Sequence, residues 1–569
     1  MLKTSRNMRI LRHAFSIYVL PSLLALALCV LPATASEPQY FPGSTVKHFQ
    51  LTGDRDAPRR TPTPTLTETR AGVVATDLGS SFEHEGRLYF LFGDTWGRPG
   101  ARDVLAWTEN TAPNDLTLDF HDGSDGKFLP LAVPGVSLGA FEVPSYGISV
   151  ADRMYVVFTT DHDVAPWTMG RSVLAASDDD GRTFSYLYGL STEHFINVTL
   201  ATALQEDCPG LPADRCVLIW GSGMYRASSP RLACIPVSAI GWAGALRYYA
   251  GTLGQTGACL WSPQESEAVE LFHHRVIGEL SVAWIAQLER WVMLYNSSEP
   301  RGIVMRTSEL PWGPWSDPVV IFDPWRDMGY ARFMHVSWDH EQMDTFHDFD
   351  REYEWGGEYG SYIIPRFTQG TAERCTIFYT MSTWNPYQVV LMSSDVGDPN
   401  VVGALHEVRV QTLPRDNGWR VTGHVSGRFL RNDVPHVTTW GPHGDAEMAV
   451  AHYGFPFDAN DGALSFSIHG GGGEVVLVAE ETPPPTVIAD IPSFYGRLKA
   501  GDFGPVVEAI AGPTSNDVDI SVRWNLRRHA GKKLRLFIVD HLAEPWGFIS
   551  VSQFTIVEMR SNPSGLPGR

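Results

Sequence analysis

The sequence predicts an all-β protein, a five-bladed β-propeller followed by a C-terminal β-sandwich. The composition, a repeated strand pattern and a change of pattern after Pro399 support this prediction. Aromatic residues make up 11 % of the 569 residues, and 53 glycines and 39 prolines interrupt the chain throughout. Long amphipathic helical patterns are scarce, which is typical of a chain built from short strands and turns.

Five strands rich in aromatic and β-branched residues recur at intervals of roughly 60 to 85 residues. They are RLYFLFGD, RMYVVFTTD, CVLIWGSG, RWVMLYNSS and CTIFYTMST, beginning at Arg87, Arg153, Cys216, Arg290 and Cys375. The interval accommodates a four-stranded antiparallel sheet with its loops, and radial repetition of such sheets gives a propeller. Residues 46–397 are therefore expected to form five blades.

One further pattern fits a propeller. The stretch SDDDGRTF, from Ser177 to Phe184, has the spacing S-x-D-x-G-x-T-F of an Asp box, which closes a hairpin through hydrogen bonds from side chains to the backbone. A structural role is much better supported than a catalytic one. After Pro399 the chain changes to alternating strands such as ALSFSIHGGGGEVVLV, which predicts the β-sandwich over residues 400–562.

The N-terminal residues resemble a leader. Four cationic residues precede an apolar run from Ala14 to Leu31, and the small residues from Ala33 to Ala35 form a cleavage site. Residues 1–35 are thus a predicted signal peptide, and residues 36–45 a linker. The expected protein is secreted or periplasmic, and no other apolar run is long enough to span a membrane.

The net charge limits the class of partner, and the cysteine positions indicate possible disulfides and metal sites. The net charge of −20 is a poor match for phosphate backbones, so we expect no nucleic-acid partner. We also expect a monomer without a membrane partner. Cys208–Cys216 and Cys234–Cys259 are the disulfide candidates nearest in sequence, with Cys375 as a buried strand residue. No Cys/His spacing resembles a zinc site, so transition-metal chemistry is disfavoured. No cofactor is expected. A structural calcium ion in the propeller channel is the alternative to a metal-free protein.

The hairpin ATDLGSSFEHEGRLYFLFGDTWG carries the leading catalytic candidates, Asp77 and Asp94. If Glu85-Gly86 is a two-residue turn, Asp77 falls directly opposite Asp94. Like charges in that position destabilise a sheet, so a functional role is favoured over a turn-capping one. Glycosidases need two carboxyl groups at the scissile bond, one protonated and one ionised, and mutual repulsion would raise one pKa.

Other polar and aromatic residues interrupt apolar stretches. Glu279 is a third acidic candidate, with an ion-pair role as the equal alternative. The remaining substrate-binding candidates, for which packing or hydrogen bonding within the core is the alternative, are Trp96, Glu142, Tyr146, His335, Tyr359, Tyr362 and Trp384. Aromatic rings offer apolar faces that match the C–H faces of sugars.

The opening hairpin resembles the family of domain of unknown function 4185, also glycoside hydrolase family 183. The resemblance continues in VPSYGISVADRMYVVFTT, GELSVAW, RTSELPWGPWSDP, GEYGSYIIP and MSTWNPYQVVLM, and together these span Thr76 to Met392. It implies a five-bladed propeller, endo-acting hydrolysis of mycobacterial D-arabinan, and Asp77 and Asp94 as acid and base. It also implies an inverting reaction, whereas directly opposed carboxyls are nearer the ~5 Å of retaining enzymes.

The predicted function is therefore cleavage of internal α-D-arabinofuranosyl linkages in arabinogalactan or lipoarabinomannan, with Asp94 favoured as the base. One alternative is a furanosidase of other specificity, either exo-acting or specific for L-arabinan. Another is a non-catalytic carbohydrate-binding propeller, which would release no new reducing ends. The sandwich is expected to dock against the propeller or to bind polysaccharide.

Overall fold

The computed structural model describes residues 37–561 except 57–60, 101, 165–166, 254–257, 325–326, 328, 331–332, 336, 339–340, 343–353, 413–418, 424–429, 432–433, 440–447, 457–460, 486–487, 513–519, 527–528, 530 and 543–547. The predicted signal peptide, residues 1–35, lies outside this part of the chain. Within it, no helix has the length and apolar character needed to cross a membrane.

Short strands dominate the described residues up to 397. They are β1 (Gln39–Tyr40), β2 (Val46–Gln50), β3 (Arg55–Asp56), β4 (Thr61–Pro62), β5 (Ala75–His84), β6 (Arg87–Trp96), β7 (Val104–Thr108), β8 (Asp119–Phe120), β9 (Pro144–Val150), β10 (Arg153–Thr160), β11 (Asp163–Val164), β12 (Trp167–Thr168), β13 (Arg171–Ser177), β14 (Ser185–Ser191), β15 (Asn197–Leu204), β16 (Arg215–Ser222), β17 (Arg231–Pro236), β18 (Arg247–Leu253), β19 (Ala258–Ser262), β20 (Ile277–Ile285), β21 (Arg290–Ser298), β22 (Arg301–Ser308), β23 (Val319–Phe322), β24 (Ser337–Trp338), β25 (Glu341–Gln342), β26 (Glu358–Ile363), β27 (Gln369–Gly370), β28 (Cys375–Thr383) and β29 (Gln388–Gly397). One short helix, α1 (Thr67–Ala71), precedes β5.

These strands form five antiparallel sheets of four or more strands within the described residues. The sheets are β5-β6-β7-β8, β9-β10-β13-β14, β15-β16-β17-β18-β19, β20-β21-β22-β23, and β26-β28-β29 with β1, β2 and β27. Each of the five repeated segments of the sequence is the second strand of its sheet, as β6, β10, β16, β21 and β28. The all-β prediction is confirmed.

The first strands of the five sheets contact one another in a closed series. β5 contacts β9, β9 contacts β15, β15 contacts β20, β20 contacts β26, and β26 returns to β5. The acidic candidates Asp77 and Glu279 lie near the starts of β5 and β20, so this ring brings residues far apart in sequence to a common centre.

The two ends of this region share one sheet. β1 and β2 both pair with β29, so that Tyr40 lies opposite Val396 and Val46 opposite Ser393. The stretch predicted as a linker, residues 36–45, therefore contributes a strand.

The predicted register of the first hairpin is wrong by one residue at its functional end. Glu85-Gly86 forms the expected two-residue turn, with His84 opposite Arg87, but Asp77 lies opposite Gly93 rather than Asp94. The register shifts between residues 78 and 80, where Leu78 and Gly79 have φ of 65° and 95°. An extra residue in one strand is a β-bulge, which re-aims the side chains beyond it.

The cysteines also differ from expectation. All five described cysteines are free thiols, so neither Cys208–Cys216 nor Cys234–Cys259 is bonded. Cys216 instead lies against Cys234, because β16 and β17 are neighbours in one sheet. Cys375 is a fully buried strand residue, as predicted.

The remaining chain forms two further antiparallel sheets. Its elements are α2 (Pro399–Ala404), β30 (Leu405–Thr412), β31 (Trp419–Gly423), β32 (Leu430–Arg431), β33 (Val434–Thr438), β34 (Ala449–Pro456), β35 (Asp461–His469), β36 (Gly473–Ala479), α3 (Ile491–Ala500), β37 (Val506–Ala511), β38 (Ile520–Asn525), β39 (Lys533–Asp540) and β40 (Ser550–Ser561). The sheets are β32-β33-β40-β35-β38 with β30, and β31-β34-β39-β36-β37. Apolar residues of both, such as Leu464 and Ile538, pack in one core.

Candidate functional site

Asp77 is held by two tyrosines that come from another sheet. Its carboxyl is buried, and Oδ2 accepts hydrogen bonds from the hydroxyls of Tyr387 at 2.7 Å and Tyr359 at 2.9 Å. Oδ1 is buried as well and has no hydrogen-bond partner among the described residues. One oxygen is thus fixed by the protein, and the other remains for a proton or a substrate.

Burial raises the pKa of Asp77 well above its ordinary value, and the nearby charge of Asp94 raises it further. The hydrogen bonds from Tyr387 and Tyr359 favour the ionised form but do not offset these effects. Asp77 therefore keeps its proton at pH values where an exposed aspartate would be ionised.

Asp94 is half-buried and stands at a bend in β6. Its φ of 42° is left-handed, which turns its side chain away from the regular strand direction. Both of its oxygens accept a hydrogen bond from the backbone N–H of Phe141, at 3.0 and 3.1 Å. A backbone donor of this kind favours a carboxylate in its ionised form.

Glu142 anchors the loop that supplies this donor. Its Oε2 accepts hydrogen bonds from Ser137 Oγ and the N–H of Gly139, both at 2.6 Å, and its Oε1 accepts one from the N–H of His162 at 3.0 Å. Burial would raise the pKa of Glu142, but these hydrogen bonds outweigh it and lower the pKa. The predicted substrate-binding residue thus orders the backbone beside Asp94.

A third aspartate, Asp103, joins the pair and was missed in the sequence. Its Oδ1 accepts the backbone N–H of Asp94 at 3.2 Å, while its buried Oδ2 has no hydrogen-bond partner in the described chain. Burial and the charge of Asp94 raise the pKa of Asp103 well above its ordinary value. The sequence feature that could have indicated Asp103 is its position directly before the buried strand VLAWT, which is β7.

Glu279 lies in an ion pair, which was the alternative interpretation of this residue. Its Oε1 accepts a hydrogen bond from the Tyr225 hydroxyl at 2.7 Å, and Arg226 lies 3.7 Å from its Oε2. The Arg226 guanidinium also lies over the rings of Tyr225 and Tyr359. The charge of Glu279 contributes to the raised pKa of Asp77, so both carboxyls belong to one centre.

Aromatic residues form a cavity next to Asp94. The space of about 360 Å³ is lined by Asp94 together with Trp96, Phe141, Trp384 and Tyr387, among others. The rings of Trp96 and Trp384 both meet the Tyr387 ring edge-on, with centroids 6.5 and 5.8 Å away. Trp96 and Trp384, both predicted to bind substrate, therefore line the same cavity as Asp94. Tyr387 connects this cavity to Asp77 through its hydrogen bond to Oδ2.

Three other candidates are buried side chains. Tyr146 and Tyr362 pack against each other with ring centroids 6.2 Å apart, and burial raises the pKa of both hydroxyls. His335 is fully buried, and its Nδ1 lies 3.1 Å from the carbonyl oxygen of Glu354. None of the three lines the aromatic cavity.

The chemistry available at this centre is proton transfer between carboxyl groups and a substrate. It combines a buried carboxyl with a raised pKa, a second carboxyl anchored by a backbone N–H, and aromatic walls. Among the described residues, one group of His, Asp and Glu has metal-ligating geometry, namely His84, Glu85 and Asp180. That group lies at the opposite end of β5.

Comparison with known proteins gives one family match. Residues 63–393 match the family model named Domain of unknown function (DUF4185). No curated protein sequence matches the chain significantly.

Solved structures give weak similarities only. The exo-β-1,3-galactanase of Phanerochaete chrysosporium with galactose is 9 % identical, with a TM-score of 0.41, covering 90 % of this chain and all of that one. The catalytic domain of the Coprinopsis cinerea GH62 α-L-arabinofuranosidase is 11 % identical, with a TM-score of 0.34, covering 62 % of this chain and 98 % of that one. Both similarities are too weak to support an inference about activity or substrate.

Proposed function

The chain belongs to the DUF4185 family, and we propose that it is a glycoside hydrolase that cleaves internal α-D-arabinofuranosyl linkages of mycobacterial-type D-arabinan. The observation that carries the proposal is the asymmetry between the two aspartates. Asp77 is buried with a raised pKa, while Asp94 is half-buried and accepts a backbone N–H. Hydrolysis of a glycosidic bond needs one carboxyl in each state.

In this proposal Asp77 is the general acid and Asp94 the general base. Asp77 carries its proton on Oδ1, because Oδ2 is occupied by two tyrosine hydroxyls. It gives this proton to the leaving glycosidic oxygen as the bond to the anomeric carbon breaks. Asp94 takes a proton from the attacking water, whose oxygen forms the new bond, and the configuration is inverted.

Asp103 acts as a positioning residue in this proposal. It accepts the backbone N–H of Asp94 and holds the left-handed bend that aims the base. Because burial raises its pKa, Asp103 keeps its proton to higher pH than an exposed aspartate, which limits the negative charge beside Asp94.

The aromatic cavity supports a sugar substrate, and the family resemblance supports D-arabinan as the polymer. Trp96 and Trp384 present apolar ring faces next to Asp94, which suits the C–H faces of a furanose. The net charge of −20 favours a neutral polymer over an anionic one.

The proposed architecture follows from the sheets. We interpret the ring of five sheets as a five-bladed propeller over residues 46–397, and the two later sheets as a β-sandwich over residues 400–562. The sandwich is proposed to dock against the propeller. The mature protein is proposed to be a secreted or periplasmic monomer that needs no cofactor for catalysis.

Incubation of purified protein with mycobacterial arabinogalactan tests the function. Wild type is expected to release a ladder of oligosaccharides, Asp77→Asn and Asp94→Asn to release none, and Asp178→Asn, an exposed aspartate paired with Arg153, to match wild type. A single small product would indicate exo action. If wild type released products from L-arabinan alone, the proposed substrate specificity would be wrong. If wild type bound arabinogalactan but released no products, the proposal that the protein is a hydrolase would be refuted.

A further inference from the structure

His84, Glu85 and Asp180 form a cluster of three side chains that the proposed hydrolysis does not use. Their ligating atoms all lie within 4.8 Å of one another. His84 and Glu85 end β5 and begin the hairpin turn, and Asp180 belongs to the Asp box of the next sheet. His84 lies seven strand positions after Asp77, which places the cluster about 20 Å from the carboxyl centre.

The histidine is oriented for a ligand. His84 is buried, its ring packs edge-on against Tyr89, and its Nδ1 lies 2.8 Å from Ser149 Oγ. If Nδ1–H donates to this hydroxyl, the lone pair of Nε2 points toward Asp180. A hydrogen bond from the second ring nitrogen is the usual way in which proteins fix a metal-binding imidazole.

Glu85 and Asp180 both lie in turns with left-handed backbone angles. Glu85 has φ of 45° at the tip of the hairpin, and Asp180 has φ of 59° in the Asp box. The Asp-box turn is closed by hydrogen bonds from Ser177 and Thr183 to Asp179, as the sequence predicted. Side chains other than glycine adopt such backbone angles only where the surroundings enforce them.

The distance within the cluster fits two ligands of one ion. His84 Nε2 and Asp180 Oδ1 are 3.3 Å apart, which is long for a hydrogen bond to a carboxylate. Zinc lies about 2.0–2.2 Å from nitrogen and carboxylate oxygen, so two of its tetrahedral ligands are roughly 3.3–3.5 Å apart. The exposed side chain of Glu85 supplies the third possible ligand atom of the group.

We propose that His84, Glu85 and Asp180 bind a divalent transition metal ion of the zinc class. The imidazole disfavours calcium and magnesium, which take oxygen ligands. The bound ion joins the hairpin tip of the first sheet to the Asp box of the second, so its role is to stabilise the contact between these sheets and not to take part in hydrolysis.

Zinc chloride titrated into the full-length protein, after chelation and dialysis, tests the site by calorimetry and thermal unfolding. Wild type is expected to bind zinc and to melt at higher temperature in its presence. Glu85→Gln and Asp180→Asn, which keep size and exposure, should bind at least tenfold more weakly at this site and lose the shift in melting temperature. Asp178→Asn, two residues from Asp180 but paired with Arg153, is the matched control and should behave as wild type.

Two results would overturn the proposal. If wild type binds no zinc, or if both variants bind as wild type does, His84 and Asp180 form an ordinary hydrogen bond. Calcium chloride binding as tightly as zinc would refute the assignment of ligand class. Near-ultraviolet circular dichroism of each variant checks that weaker binding does not reflect unfolding.

Discussion

Tyr387→Phe tests whether Asp77 is the general acid, because it removes one hydrogen bond and leaves the carboxyl in place. The tyrosine hydroxyl donates to Asp77 Oδ2 at 2.7 Å, and its ring contacts Trp96 and Trp384. Phenylalanine keeps these ring contacts. The variant therefore changes the energy of the ionised carboxyl more than the shape of the cavity.

The size of the effect follows from the charge that develops on Asp77. A hydrogen bond to a charged group contributes about 1.5–3 kcal/mol. An acid that gives up its proton acquires this charge only in the transition state, so the lost bond raises the barrier by up to that amount. Because about 1.4 kcal/mol corresponds to a tenfold change in rate, kcat should fall about 10- to 100-fold.

The pH dependence gives a second readout. The Tyr387 hydrogen bond lowers the pKa of Asp77, so its removal should raise that pKa further. A general acid must be protonated to act, and the alkaline limb of the rate profile should therefore move to higher pH. The assay is chromatography of oligosaccharides released from arabinogalactan across the pH range.

Tyr379→Phe is the matched control. Tyr379 is a buried tyrosine of β28 whose hydroxyl is hydrogen-bonded to Ser394 instead of Asp77, so its loss should leave kcat and the pH profile unchanged. An acid limb that moves upward in Tyr387→Phe, with the alkaline limb fixed, would make Asp77 the base. Unchanged kcat with a higher KM would refute a role for this bond in catalysis.

Three further variants test the energetics of the fold. Because burial raises the folded-state pKa of Asp77, the folded protein binds more protons than the unfolded one and loses stability as pH rises. Asp77→Asn should therefore raise the melting temperature at neutral pH, and its melting temperature should approach that of wild type in acid. A lower melting temperature of the variant at neutral pH would contradict this reasoning. Gly93→Ala places Cβ 2.7 Å from Val143 Cγ1 and should cost about 1–3 kcal/mol in urea unfolding, so an unchanged midpoint would count against the tight packing. Asp179→Ala removes the acceptor of two hydrogen bonds from Thr183, at 2.9 and 2.7 Å, and should lower the free energy of unfolding by about 1–3 kcal/mol, whereas no loss would mean that the Asp box is not stabilising.

Local patterns in the sequence were sufficient for the five repeated strands and for the turn at Glu85-Gly86. They were insufficient for the register at Leu78 and Asp77, because a bulge depends on how β5 packs against its neighbours and not on the hairpin alone. The hydrogen bond from Tyr359 to Asp77 joins residues 282 positions apart, and no local pattern contains it. The aromatic context of Tyr359 predicts a substrate-binding residue, but it does not predict that the hydroxyl donates a hydrogen bond to Asp77.

The functional residues that local sequence patterns do not predict share one property. Asp103, Tyr225 and Arg226 lie in loops or at strand ends, where polar residues are ordinary. Their roles arise only when the ring of first strands brings those loops to one centre. The burial of Asp103 is a property of the assembled sheets, and the sequence contains no period that predicts it.

The sheet that joins β1 and β2 to β29 imposes an order on folding. β1 and β2 are made before β29 and cannot pair with it until residues near position 396 have emerged, since Tyr40 pairs with Val396. Closing a loop of this length costs roughly 5 kcal/mol of chain entropy, which is recovered only when the last sheet is complete. A nascent chain therefore exposes an open edge for most of its synthesis, and chaperone demand and the yield of active protein should depend on when this final pairing occurs.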